Sequence, residues 1–262
     1  MIKDNITKRI IVFVYGACSY FLFLVTFIYA IGFVGNLLVP KSIDSTPVAP
    51  LSQALLLNTV LLGIFALQHS VMARPGFKRI LTKFIPEAAE RSTYVLLSNL
   101  ALILLFWKWQ PIGGTIWNVE NGILRIVLYS LFAFGWLTVL VTSFLINHFD
   151  LFGLRQVWLY LRGETYTQLK FGMPGPYKYI RHPLYVGWFI AFWATPTMTA
   201  AHLVFAVATT AYILIAIRYE ERDLIKEHGK SYEQYRETVS MFIPFINKVK
   251  HRTEDKTVGT VA

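Results

Sequence analysis

Four long apolar runs, at about residues 10–34, 51–72, 93–109 and 123–146, leave this chain few places to fold other than a lipid bilayer. A hydrocarbon core of about 30 Å takes roughly 20 helical residues to cross. Only the third run is short by that measure. A fifth apolar region, Pro183 to Arg218, is broken near its middle by Thr195-Pro196-Thr197, and it reads as two short helices folded against each other with the kink buried. The composition agrees: 55% of residues are hydrophobic and 16% aromatic, and the mean hydropathy is +0.49, above what a soluble domain carries. The expected fold is all-α, a polytopic membrane protein with four full spans, a C-terminal helical hairpin and a cytoplasmic C-terminal helical region. One domain is expected over 1–262, with the first four helices in 1–146, a second half in 147–250 carrying the hairpin 183–218, and a flexible tail at 251–262.

The first apolar run is too long for a signal-peptide core and no clean cleavage site follows it, so it reads as a retained helix. Cys18 is the lone cysteine. Disulfides within the chain and thiolate-bound zinc or iron–sulfur sites are thereby excluded, and no metal is expected.

The net charge of +10 would suit nucleic acid, but its placement points to lipid. With a cytoplasmic N-terminus, 22 of the 25 Lys and Arg residues fall on one side, leaving Lys41, Lys108 and Arg125 near the other. That is the positive-inside pattern, expected of a bacterial inner-membrane protein whose basic face meets anionic headgroups. Trp107, Trp109 and Trp117 read as an interfacial belt. Polar clusters end several helices on the basic face: Gln68-His69, Asn147-His148-Phe149-Asp150, Arg181-His182 and Glu220-Glu221. Ionisable groups at membrane depth are costly and are kept for a role, so an active site facing the cytoplasm is the simplest account.

One ordered constellation stands out between Gly172 and Phe245. It runs Gly175-Pro-Tyr177, Arg181-His182-Pro183-Leu184-Tyr185-Val-Gly187, the apolar hairpin, Glu220-Glu221-Arg-Asp-Leu224, then Gly229-Lys-Ser-Tyr232-Glu-Gln-Tyr235. Some seventy residues of ordered matches are far more specific than a lone short pattern. This half resembles isoprenylcysteine carboxyl methyltransferases and phospholipid methyltransferases. The resemblance implies S-adenosyl-L-methionine held without a Rossmann fold, at Tyr177, His182, Pro183, Leu184, Tyr185 and Glu220, with Glu221 beside it and Leu169, Lys170, Phe171 and Gly172 as a lid over the adenosine. No Gly-x-Gly-x-x-Gly turn is present, in agreement. Tyr232 and Tyr235 read as packing residues.

The residue types suit that ligand on physical grounds as well. A sulfonium wants aromatic faces such as Tyr177, Tyr179 and Tyr185, an ammonium wants a carboxylate, and a carboxylate wants a cationic fork such as Arg181. A plainer reading stays open for each: Arg181-His182-Pro183 as a helix start, and the two glutamates as a solvated helix end paired with Arg218, Arg222 or Lys226. If the helix continues through Lys226, one acid faces the pocket and the other water, with Glu220 as the ligand.

Two N-terminal segments, Gln68-His69-Ser70-Val71-Met72-Ala73-Arg74-Pro75 and Ile146 to Gln156, look like the methanethiol S-methyltransferase branch of this superfamily, which is related to NnrU-type membrane proteins. With them the resemblance spans nearly the whole chain and implies methylation of methanethiol to dimethyl sulfide. Another small thiol, an isoprenylcysteine carboxylate or a phospholipid are alternative acceptors, and a non-enzymatic NnrU-like protein is a further alternative. The overall fold is also shared with sterol reductases that bind a nicotinamide cofactor, although the Tyr, His and Glu positions follow the methyltransferase pattern. Beyond the small thiol and membrane lipid, no obligatory protein partner is inferred.

An unperturbed thiol has a pKa near 8.5 or higher and reacts as thiolate, so a base is expected, and histidine suits neutral pH. His148 with Asp150, or His69 beside Gln68, are the candidates, with Arg181 or Arg74 available to hold a pre-formed thiolate. A structural role at a helix end stays open for each histidine, and Asp150 could equally be a turn or N-cap residue. His202 reads as structural, and His228 and His251 as surface residues.

Overall fold

A computed structural model describes residues 4–245. The tail at 251–262 and His251 lie outside the described residues. The long helices are α1 (Ile6–Gly35), α2 (Leu51–Met72), α4 (Glu90–Lys108), α5 (Gly122–Ile146) and α9 (Ala200–His228), with α3 (Pro75–Leu81) short and interfacial between the second and third of these. All five long helices have the length and hydropathy to cross a membrane. The chain is an integral membrane protein. Outward-facing Ile11, Phe21, Ile28, Leu56, Leu67, Ile123 and Leu137 are exposed and suit a surface of lipid. Inside, Phe33, Leu105, Trp109, Trp136, Phe192 and Phe205 form the main core.

Local chemistry sets the helix ends. The Asn5 side chain accepts from Thr7 N (3.1 Å) to open α1, and Asn121 accepts from Leu124 N (3.1 Å) to open α5. After α5 the chain turns at Asn147 (φ 124°) into α6 (His148–Leu151) and then, past Gly153 (φ +85°), into the amphipathic α7 (Leu154–Arg162). A Cβ on Gly153 would lie 2.7 Å from Ser92 N, so this glycine is required both by conformation and by close approach.

The hairpin differs from the expected pair of short helices. Its first arm, α8 (Pro183–Trp193), is short, but the second is α9, 29 residues long. Thr199 caps its start by accepting from His202 N, and nothing breaks the helix until Gly229 at φ +58°, where α10 (Lys230–Thr238) begins. The continuation through Lys226 expected from the sequence is therefore present. Small residues let α8 lie against α5. A Cβ on Gly135 would meet Ala191 N at 2.6 Å, and one on Gly187 would meet Val139 N at 2.9 Å. This is the close helix approach typical of membrane interfaces.

A two-stranded antiparallel ribbon, β1 (Thr115–Asn118) with β2 (Thr197–Thr199), was not expected from the sequence. It closes the end of the bundle away from the polar motifs. There His202, fully buried, bonds Phe192 O through Nε2 (2.9 Å) and faces Asp44. Asp44 also takes hydrogen bonds from Thr199 Oγ1 and from Asn36 Nδ2 (2.8 Å), and these bonds with His202 hold its carboxyl below the usual range against the opposing effect of burial. His202 is thus structural, as read. Trp109 corrects the belt: it is fully buried and donates Nε1–H to Ile43 O (3.2 Å), whereas Trp107 is exposed and carries Lys108 over its ring.

Candidate active site

At the opposite end, α2, α4, α5, α8 and α9 bring their polar residues together. Tyr185, in the first turn of α8, donates to Glu220 Oε2 (2.7 Å) on α9. Tyr94, Tyr212 and Glu220 all lie within electrostatic reach of Tyr185. Tyr177 lies in the turn before α8, beside Thr142 and Glu220, and burial together with the Glu220 charge pushes its phenol well up. Its hydroxyl is buried and completes no hydrogen bond among the described residues. Thr142 gives its own proton to Thr138 O (2.6 Å). A buried, uncommitted hydroxyl near the Glu220 carboxylate and Tyr235 is a site with bonding capacity left over for a ligand.

Glu221 is committed differently. It is 8% exposed and takes Arg181 Nε (2.7 Å) and His182 Nε2 (3.0 Å) on the same oxygen. Arg181 further donates through Nη1 to Val239 O (2.5 Å) and Arg236 O (3.0 Å). The expectation that the second acid faces water is corrected, because helical periodicity turns Glu221 inward onto the Arg181-His182 corner. Arg181, with all these partners, clamps α8 to the C-terminal segment rather than standing free as a fork. Pro183 is buried at the first position of α8 and Leu184 follows, half-buried. Tyr235 donates to Tyr177 O (2.6 Å), and burial pushes its phenol up to about 12, so it stays a donor at any physiological pH. Tyr232 and Tyr235 are buried packing residues, as read.

Leu169, Lys170, Phe171 and Gly172 lie in an irregular stretch before that turn. Phe171 packs on His228 (5.2 Å), Tyr232 (5.8 Å) and Tyr235 (5.5 Å). His228 is accordingly half-buried, not a plain surface residue. Tyr179 is 54% exposed and does not join the cluster.

The two candidate bases occupy different surroundings. His69 on α2 meets Tyr94 Oη through Nε2 (2.7 Å) and Ser98 Oγ through Nδ1 (3.2 Å), with Phe65 stacked at 5.1 Å and Tyr212 edge-on at 6.4 Å. Tyr212 bonds Ser70 (3.2 Å). His148, 2% exposed, meets Tyr20 Oη through Nε2 (2.8 Å) and Ser143 Oγ through Nδ1 (2.8 Å), inside a box of Phe23, Phe144, Phe149 and Phe152. Burial lowers its pKa. Asp150 does not orient His148: it pairs with Arg155 Nη1 (2.8 Å) and accepts from Tyr166 (3.3 Å), because the short α6 turns the two side chains apart. Asp150 lies within the α6 turn, as the plainer reading has it, but does not cap the following α7, which Gly153 precedes with no side-chain cap. Arg74 is likewise engaged, with Asp223 Oδ2 (2.7 Å) and Ser70 O (3.2 Å). Gln68 directs Nε2 to Met72 Sδ (3.2 Å) rather than to His69.

Tyr94 and Tyr212 went unnoticed as site residues because each lies inside an apolar run, where an isolated tyrosine reads as packing. Spacing offered one signal, since Tyr94 and Ser98 are four apart and share a helix face within an otherwise apolar run.

The helical bundle with its polar-ended hairpin is that of a membrane-embedded methyltransferase of the isoprenylcysteine carboxyl methyltransferase type, whose family model matches residues 165–226. Similarity to individual proteins extends over almost the full length. A methanethiol S-methyltransferase of Crocosphaera subtropica is 59% identical over 94% of this chain and 97% of its own, and one of Mycobacterium tuberculosis is 53% identical over 91% and 98%. Methanethiol S-methyltransferase 2 of Bradyrhizobium diazoefficiens is 50% identical over 95% of each. The chain belongs to the methanethiol S-methyltransferase family. No solved structure matches it.

Proposed function

We propose that this enzyme methylates methanethiol to dimethyl sulfide with S-adenosyl-L-methionine as donor, at the cytoplasmic face of the inner membrane. The observation that carries the reading is the Tyr185–Glu220 pair beside the uncommitted Tyr177 hydroxyl, with His69, Tyr94 and Tyr212 adjoining. These residues fit the donor. Glu220 offers a carboxylate to its ammonium, and Tyr185 and Tyr212 offer ring faces to its sulfonium. The stretch from Leu169 to Gly172, anchored through Phe171, serves as lid, and His182 with Pro183 and Leu184 forms the wall. When bound, the donor supplies an electrophilic methyl group.

The protein's own work is positioning, drying and proton removal. Phe65 and the Tyr94 and Tyr212 rings pack around His69 and give it an apolar surround, and holding sulfur in line with the methyl group supplies much of the acceleration. Opposite charges cancel as thiolate meets sulfonium, so excluding water helps. Between the two histidines, His69 is the base, because its tyrosine partner lies within electrostatic reach of Tyr185, which bonds Glu220, while His148 is walled in by phenylalanines. Adding methanethiol and S-adenosylmethionine to the purified enzyme should release dimethyl sulfide, read by headspace gas chromatography, and calorimetry should register donor binding. Binding without product would leave the donor assignment and remove the acceptor. Reporter fusions in residues 150–175 should give a cytoplasmic signal, and an exported one would invert the orientation.

A further inference from the structure

The hydrogen-bond geometry around His69 fixes which of its nitrogens is free, and that decides how a proton reaches it. Ser98 Oγ donates its single proton to Tyr94 O (2.9 Å), so toward His69 it acts only as an acceptor. His69 Nδ1 must therefore carry a proton. In the neutral ring Nε2 is then the bare nitrogen, and the Tyr94 hydroxyl, 2.7 Å away, donates to it. Side chain and backbone close a ring: Tyr94 hydroxyl to His69, His69 to Ser98, Ser98 to the carbonyl of Tyr94 itself. The basic lone pair of His69 is thus covered by the Tyr94 hydroxyl, and a thiol on that side reaches it only by displacing this bond. What the thiol meets instead is the Tyr94 oxygen, which has given away its proton and keeps its lone pairs.

We propose that Tyr94 is the group that takes the thiol proton and relays its own to His69, so that histidine is the base at one remove. This rests on the thiol-methylation reading above. In the step, the S–H bond breaks and its proton goes to Tyr94 Oη, while the Tyr94 O–H bond breaks and that proton goes to His69 Nε2. The sulfur pair left by the proton forms the new S–CH3 bond, and the bond from the methyl group to the donor sulfonium breaks with its electrons returning to that sulfur. His69 ends as imidazolium, both nitrogens donating, and later releases one proton to solvent. The Arg91 guanidinium lies 5.0 Å over the Tyr94 ring and is itself held by Leu151 O (2.8 Å), so developing negative charge on the phenol is met by a fixed cation. Ser98 is a positioning residue that holds the tautomer.

Two independent readouts test this. In 15N-histidine NMR of the detergent-solubilised enzyme, His69, assigned by its loss in His69→Gln, should appear as the Nδ1–H tautomer in the free protein. A dominant Nε2–H tautomer overturns the relay. In turnover assays Tyr94→Phe should keep donor affinity by calorimetry yet lose about 100-fold or more in kcat at neutral pH, with partial recovery as pH rises toward the thiol pKa. Ser98→Ala should lose about tenfold and show a mixed tautomer population. Tyr94→Phe with near-normal kcat, while the wild type makes dimethyl sulfide, overturns the relay alone. A wild type that binds the donor and makes no dimethyl sulfide overturns the acceptor reading and the relay with it.

Discussion

Two histidines in this protein are held by the same three-part device, and only one of them borders the candidate site. Around His69 the parts are Ser98 and Tyr94, and around His148 they are Ser143 and Tyr20. In each the serine gives its proton to a carbonyl of its own helix, Tyr94 O in one and Leu140 O (2.7 Å) in the other, which leaves it an acceptor for Nδ1–H. In each a tyrosine covers Nε2. The difference lies outside the triads. His148 stacks on Phe144 at 4.1 Å with rings 5° from parallel, and its tyrosine contacts Phe23, Phe149 and Phe152. Tyr94 instead adjoins Tyr212 and Tyr185, and through Tyr185 the Glu220 carboxylate. One hydrogen-bond pattern therefore recurs in two surroundings, an aromatic box in one case and the candidate site in the other.

The largest expected effect separates the two directly. His69→Ala should lose about 100-fold or more in turnover at neutral pH and regain part of it as pH rises, because bulk solvent then supplies thiolate. His148→Ala should cost stability, since it opens a cavity in an aromatic box and leaves Tyr20 and Ser143 without their partner, but turnover per folded molecule should stay within a few-fold. Steady-state kinetics normalised to the folded fraction would decide it, and the reverse ranking would break the contrast. A smaller effect sharpens the same boundary. Glu220→Gln should weaken S-adenosylmethionine binding by about tenfold or more, the scale of losing one charge-assisted bond, as measured by calorimetry. Tyr20→Phe, at the other triad, should leave that affinity unchanged. Equal losses in both would mean that the His148 region belongs to the donor site after all.

Much of this was legible in the sequence, for definite reasons. Spans are set by run length, and the run 51–72 coincides with α2 because Pro50 precedes it and polar residues follow. The order Tyr177, His182, Tyr185, Glu220 survives as a spatial cluster because the hairpin returns α9 to the level of α8. What sequence could not supply was rotation about a helix axis and pairing between helices. Glu220 and Glu221 are neighbours in the chain but about 100° apart around α9, so one meets Tyr185 and the other Arg181. Asp150 is two residues from His148 and pairs with Arg155. Tyr94 and Tyr212 acquire meaning only from His69 and Tyr185, which come from other helices. The β1–β2 ribbon was invisible for a similar reason, since each strand is too short to show alternation and is defined by its partner 79 residues away in the Asn118–Thr197 pair.

The smallest expected effect is on stability against pH, and it tests whether His148 is a neutral structural residue. His148 lies in the turn beyond α5, and burial holds its pKa below the ordinary 6.5. In the unfolded chain the same ring takes up a proton as pH falls through about 6.5, whereas the folded protein resists protonation until lower pH. The unfolded state then binds more protons, so stability is full above about pH 6.5 and declines as pH falls below it. For one group the slope cannot exceed about 1.4 kcal/mol per pH unit. Thermal unfolding of the solubilised protein should therefore shift downward between pH 6.5 and 5.5, and His148→Gln, which can still donate and accept within the box, should shift less over that interval. The Asp44–His202 contact does not mimic the effect through its carboxylate, because a lowered Asp44 pKa removes stability only as pH falls through the carboxylate range near 4. An unchanged pH slope in His148→Gln would mean that the ring is not held neutral.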